Sequence, residues 1–98
     1  MCGLVGVYSY KNQIKEYKEF ISWALLTMKR RGPDSSGIWS NNLNYIAGFN
    51  RLSIRDLSSE ANQPMVSKCG NYILSFNGEI YNSDYFRKRL ESSGVKFN

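Results

Sequence analysis

The chain has 98 residues, 42% of them hydrophobic, with 13 Lys and Arg against 8 Asp and Glu for a formal charge of +5. That length allows one domain with a modest core. No run reaches the roughly 20 apolar residues of a membrane span, and the start lacks the basic region and apolar run of a signal peptide, so the expectation is a cytoplasmic chain without a membrane partner.

In chain order, residues 2–10 read as a strand, with Leu4, Val5, Val7 and Tyr8 supplying bulk and Gly3 and Gly6 allowing close backbone approach. From about Ile14 to Lys29, Tyr17, Phe20, Ile21, Ala24, Leu25 and Met28 fall at steps of three and four, which predicts an amphipathic helix ended near Gly32-Pro33. Two β-prone runs, 37–40 and 43–49, flank Asn41-Asn42, a pair that tolerates the positive φ of a tight turn. A second hairpin is expected to join 65–68 to 72–76 around Cys69-Gly70-Asn71. The last helix is placed at about 82–93, with Asn82, Ser83 or Asp84 as N-cap, Tyr85, Phe86 and Leu90 as its apolar face and Gly94 as its stop. Residues 95–97 read as the start of another strand. The order predicts mixed α/β with mainly antiparallel pairing.

The charge of +5 raises a nucleic-acid surface as one reading. Lys29, Arg30, Arg31 and Arg87, Lys88, Arg89 each lie near or within a predicted helix, without a Gly-rich or aromatic RNA-binding signature between them, so solvated helix faces are expected and no nucleic-acid partner. The absence of histidine removes Ser-His-Asp triads, Cys-His dyads and His-based metal sites from the chain, and no metal is expected. Cys2 and Cys69 read as free thiols, Cys69 as a small packed side chain.

Cys2 is the residue with the clearest chemistry. Removal of Met1 would leave a residue carrying both a thiol and a free α-amine, with pKa values of roughly 8.5 and roughly 8, so that near neutral pH the amine can accept the thiol proton directly or through one water. A packed thiol at the start of a strand is the alternative for Cys2 taken alone. Its company consists of Arg31-Gly32-Pro33-Asp34, Arg51-Leu52-Ser53-Ile54 and Asn77-Gly78-Glu79-Ile80-Tyr81-Asn82. On residue type alone, Arg51 would be a surface ion-pair partner, Asn77-Gly78 a turn, and Arg31 and Asp34 an ion pair shaping a loop.

Taken together, the RGPDSSG, RLSIRDLS, NQPM and NGEIYN stretches resemble, in order and spacing, the glutaminase domain of the class II glutamine amidotransferases, and most closely its asparagine synthetase branch. The resemblance covers nearly all of the chain and implies the first half of an N-terminal-nucleophile hydrolase α/β/β/α sandwich, with residues 1–98 as the N-terminal part of the domain. It implies Cys2 as the nucleophile attacking the side-chain amide of glutamine. It implies Asn77, through its side chain, and Gly78, through its N–H, as the oxyanion donors. Arg51 matches the holder of the substrate α-carboxylate, Glu79 a contact to its α-ammonium and Ile54 a region of backbone contacts, a core aliphatic being the alternative for Ile54; Arg31 and Asp34 stand behind these as loop-shaping residues.

No cofactor is implied for this segment. ATP and Mg are implied for a synthetase domain beyond it, as is a later aspartate for the substrate ammonium. The implied partners are glutamine, the remainder of the amidotransferase chain and, as an option, a second copy of the protein. Two departures stand out: relatives commonly carry histidine where this chain has Phe49 and Asn62. The segment alone is expected to be inactive or marginally stable, and a non-catalytic pseudo-glutaminase serving assembly or binding is the alternative function.

Overall fold

The computed structural model describes residues 2–54 and 56–97. Met1, whose removal the sequence reading requires, and Arg55 of the RLSIRDLS run lie outside the described residues. Three strands, β1 (Gly3–Tyr8), β2 (Ser35–Ser40) and β3 (Tyr45–Arg51), form an antiparallel sheet in the order β1-β3-β2. In the register, Val5 faces Gly48, Val7 faces Ile46 and Ile38 faces Gly48, so one pleat face carries Val5, Val7, Ile38 and Ile46. A 3-10 turn (Ile14–Tyr17) and helix α1 (Lys18–Thr27) cover this face, and Ile14, Ile21, Leu25 and Ile46 form its core, with Val5, Val7 and Met28 packed around them.

The predicted first helix is thus present, but its apolar stripe is narrower than its sequence. Ile21, Ala24 and Leu25 are buried, whereas Tyr17 and Phe20 face outward with Trp23 and Leu26. The physical reason is length: three inward residues fill the space above three short strands, and the further apolar side chains have no sheet beneath them.

The β2-β3 turn follows the expectation. Asn42 has φ +58°, and the Asn41 side-chain oxygen accepts the backbone N–H groups of Leu43, Asn44 and Tyr45, each at 3.0 Å. Such an Asx cage satisfies donors that a four-residue loop would leave unpaired.

The second hairpin is shorter than predicted. Strands β4 (Met65–Val66) and β5 (Ile73–Leu74) pair for two residues each. Cys69 lies at the hairpin's tip and is exposed, which corrects the expectation of a packed thiol.

Helix α2 (Ser83–Ser92) ends as its sequence predicts. Gly94 takes φ +91°, its N–H donates to the Glu91 carbonyl and the Val95 N–H to that of Leu90, both at 3.0 Å, which is a Schellman closure. Two expectations fail here. Val95 to Phe97 are not a strand, because Val95 closes the helix and Phe97 lies under the Arg87 guanidinium, 4.6 Å from its ring centre. The apolar face is not buried either: Tyr85, Phe86 and Leu90 all stay exposed, the two rings meeting edge-on at 5.4 Å. No described helix is long and apolar enough to cross a membrane.

Candidate active site

Cys2 stands at the entrance to β1, half-buried. Its sulfur accepts the Leu52 N–H at 3.4 Å, and its thiol is directed at the Leu52 carbonyl 3.8 Å away. Its own carbonyl accepts two side-chain donors, Arg31 Nε at 3.2 Å and Asn77 Nδ2 at 3.1 Å. Residues separated by 29 and 75 positions therefore converge on one peptide group.

Each arm has a local cause. Gly32 packs so closely on the Asn50 carbonyl that a Cβ would overlap it, and Pro33 then fixes φ and turns the chain into β2. This folds Arg31 back over the β1 entrance. Asp34 ties the same loop to the RLSI segment: its N–H donates to the Arg51 carbonyl at 2.9 Å and its carboxylate accepts the Ser53 N–H at 2.6 Å. Asp34 thus bonds to backbone, not to Arg31 as a loop-shaping ion pair would require.

Arg51 is buried at 7% exposure, which corrects the reading of it as a surface ion-pair partner. Its guanidinium donates to the Ser58 carbonyl at 2.6 Å, to Asn62 Oδ1 at 2.8 Å and to the Asp56 carbonyl. A planar fork of five donors suits a loop whose carbonyls point inward. Two hydrogen bonds from Ser58, from its hydroxyl and its backbone N–H, hold the Asp56 carboxyl below the usual carboxylate range, and the Arg51 charge adds a smaller push in the same direction.

Ile54 is 74% exposed, so the core-aliphatic alternative fails for it. Gly78 and Glu79 are exposed as well. The structure thus joins Cys2 directly to Arg31, Leu52 and Asn77, links Asp34 and Arg51 through backbone, and leaves Ile54, Gly78 and Glu79 at the open side. Among the described residues no group of three or more His, Cys, Asp or Glu could hold a metal ion. A cleft lined by Ile14, Lys15, Lys18, Ile38, Ser40 and Ile46 lies elsewhere and shares no residue with this site.

Three contributors carried no distinctive sequence signal. The Leu52 backbone is invisible to residue type. Asn50, fully buried, donates to the Leu25 carbonyl at 2.6 Å and accepts the Ser36 hydroxyl at 2.7 Å. Asn62, at one of the two histidine departures, accepts from Ser35 at 3.0 Å as well as from Arg51. Phe49, at the other departure, is a buried core residue.

Residues 1–98 match the model of a glutamine amidotransferase domain. The chain is 33% identical over 99 residues to asparagine synthetase [glutamine-hydrolyzing] 3 of Bacillus subtilis, which covers 99% of this chain and 16% of that protein. It is 38% identical over 100 residues to asparagine synthetase [glutamine-hydrolyzing] 1 of the same organism, covering 100% of this chain and 16% of the relative. With asparagine synthetase B [glutamine-hydrolyzing] of Escherichia coli the identity is 37% over 87 residues, 89% of this chain and 15% of the relative. The chain therefore belongs to the glutamine amidotransferase domain family, an enzyme family, and is homologous to the N-terminal glutaminase domain of asparagine synthetases. It spans 15 to 16% of the length of these curated relatives.

Proposed function

We propose that this chain forms the first half of a glutaminase domain of the N-terminal-nucleophile α/β/β/α type, which releases ammonia from glutamine for an amide-forming reaction. The observation that supports the reading is the convergence of Arg31 and Asn77 on the Cys2 carbonyl, which ties the Asn-Gly segment to the residue that carries the thiol.

After Met1 removal, the α-amine of Cys2 takes the thiol proton and the sulfur attacks the amide carbon of the glutamine side chain. Negative charge collects on the former carbonyl oxygen, where the Asn77 amide and the Gly78 N–H serve as donors; one such donor lowers the barrier by about 3–4 kcal/mol. As the tetrahedral adduct collapses, the α-ammonium returns its proton to the leaving nitrogen. Ammonia departs and a γ-glutamyl thioester remains. Water then attacks the thioester with the amine again as base, which frees glutamate and the thiol. The remaining N–H groups of the buried Arg51 take the α-carboxylate, and Glu79 and the Ile54 backbone, at the open side, take part in holding the rest of the amino-acid end.

Among the described residues no group of three or more His, Cys, Asp or Glu could hold a metal ion; we assign ATP and Mg to a synthetase domain outside this chain. Aspartate is the default ammonia acceptor, another acid the alternative.

A second reading, a non-catalytic domain that keeps the fold for assembly, draws on one observation: three Arg51 donor contacts already go to its own loop. Intact mass of the full-length protein, before and after a glutamine-like diazoketone, separates the two. The glutaminase reading expects loss of Met1 and a single adduct that disappears in Cys2→Ala. Retained Met1 with no adduct leaves the non-catalytic reading.

A further inference from the structure

The β4-β5 ladder pairs Met65 with Leu74 and Val66 with Ile73. Continued by two residues, that register sets Gln63 opposite Phe76. Pro64 stands in the way with no N–H to offer, and the side chain of Gln63 takes over from the backbone. Its Nε2 donates to the Phe76 carbonyl at 3.1 Å and its Oε1 accepts the Phe76 N–H at 2.5 Å. A primary amide thus presents the donor and acceptor of a peptide group to the residue directly before Asn77.

The other end of this clasp is fixed to the first sheet. Asn62 is held by Arg51 at the end of β3 and by Ser35 at the start of β2. The Gln63 carbonyl itself lies so close to Gly37 on β2 that a Cβ there would overlap it. The residue after Arg51 is Leu52, whose backbone touches the Cys2 sulfur. Gln63 therefore spans from the elements that seat the thiol to the segment that delivers Asn77 and Gly78.

We infer that Gln63 is a positioning residue which, through the Phe76 peptide, sets the Asn77 and Gly78 donors at the distance from Cys2 that the oxyanion requires. This rests on the glutaminase reading. Paired strands alone end two residues short of Phe76, and oxyanion donors act only within a few tenths of an ångström of their productive placement.

The test uses the full-length protein with Gln63→Met, which keeps the side chain's length and removes both hydrogen bonds. Glutamine hydrolysis is expected to lose about 10- to 100-fold in kcat with KM changed less than about threefold, the signature of a misplaced transition-state donor. Affinity for the aldehyde analogue of glutamine, whose thiohemiacetal oxygen needs the same donors, falls by a similar factor. Glutamine binding to the Cys2→Ala background holds within about threefold with and without Gln63→Met, since ground-state binding does not use those donors. Gln63→Glu provides a second readout: its protonated acid can still donate and accept, its carboxylate only accepts, so its deficit relative to wild type deepens as pH rises. An unchanged kcat, or equal losses in aldehyde and glutamine affinity, overturns the positioning role. Wild-type protein that neither hydrolyses glutamine nor takes the diazoketone adduct overturns the glutaminase reading, and the positioning role falls with it.

Discussion

At the scale of single residues, the two cysteines divide. Cys2 is half-buried with its sulfur against the Leu52 backbone, whereas Cys69 sits exposed on a hairpin with its sulfur 3.3 Å from the Ser67 hydroxyl. That contact, ahead of the Asn71 backbone N–H, holds the Cys69 thiol below its ordinary value. A thiol with a lowered pKa offers more thiolate at neutral pH and alkylates faster. The pH profile of iodoacetamide labelling at Cys69, followed by peptide mass, should have its midpoint below that of an unperturbed cysteine thiol, and Ser67→Ala should move it upward. A midpoint at or above that of glutathione would contradict this account. Residue type showed both thiols in the sequence but not which one is accessible, because exposure is set by contacts across the fold. Arg51 carries the same lesson: its charge was legible, but its burial beneath the Asp56 and Ser58 carbonyls depends on how the loop closes over it.

At the scale of elements, Asn50 joins three of them. It lies on β3, its amide caps the Leu25 carbonyl in the last turn of α1, where helix carbonyls run out of partners, and it takes the Ser36 hydroxyl from β2. Asn50→Ala should destabilise the domain by about 1–3 kcal/mol, since the buried Leu25 carbonyl loses its partner. Asn50→Asp should fall in the same direction, because a carboxylate keeps the Ser36 contact and loses the one to Leu25. Urea unfolding followed by tryptophan fluorescence measures both; a change below about 1 kcal/mol for Asn50→Ala would mean that water replaces the side chain. Elements with a strong local rule were the ones readable in advance: the 3.6-residue period of α1, the Asn41-Asn42 turn and the Gly94 stop each rest on neighbours in sequence. The short β4-β5 hairpin was legible in place but not in length, since pairing there competes with Pro64 and with the Gln63 side chain. Residues 95–97 failed as a strand because a local closure on Leu90 used the Val95 N–H first.

At the scale of the molecule, the chain exposes more than its length warrants. Its accessible surface is 7730 Å², against about 5,700 Å² for a compact domain of this mass. Its radius of gyration is 15.2 Å, against about 13 Å for a compact domain of this length. Many large apolar side chains lie on that surface. Helix α2 presents Tyr85, Phe86 and Leu90, and α1 presents Phe20, Trp23 and Leu26, faces that the further strands and helices of the proposed four-layer sandwich would cover. Burial of side chains such as these stabilises by roughly 1.5–3 kcal/mol each, comparable in sum to the whole net stability of a domain. The isolated 98-residue chain should therefore lack a cooperative thermal transition, show weak near-UV circular dichroism and bind a hydrophobic dye, whereas the complete domain should melt cooperatively and bind none. Sedimentation at the same concentration establishes whether the isolated chain is a monomer, because a second copy could cover the same faces. A monomeric chain with sharp near-UV bands and a cooperative melt would show that the α1-β1-β3-β2 core suffices on its own, and that the exposed aromatics of α2 are not needed for folding.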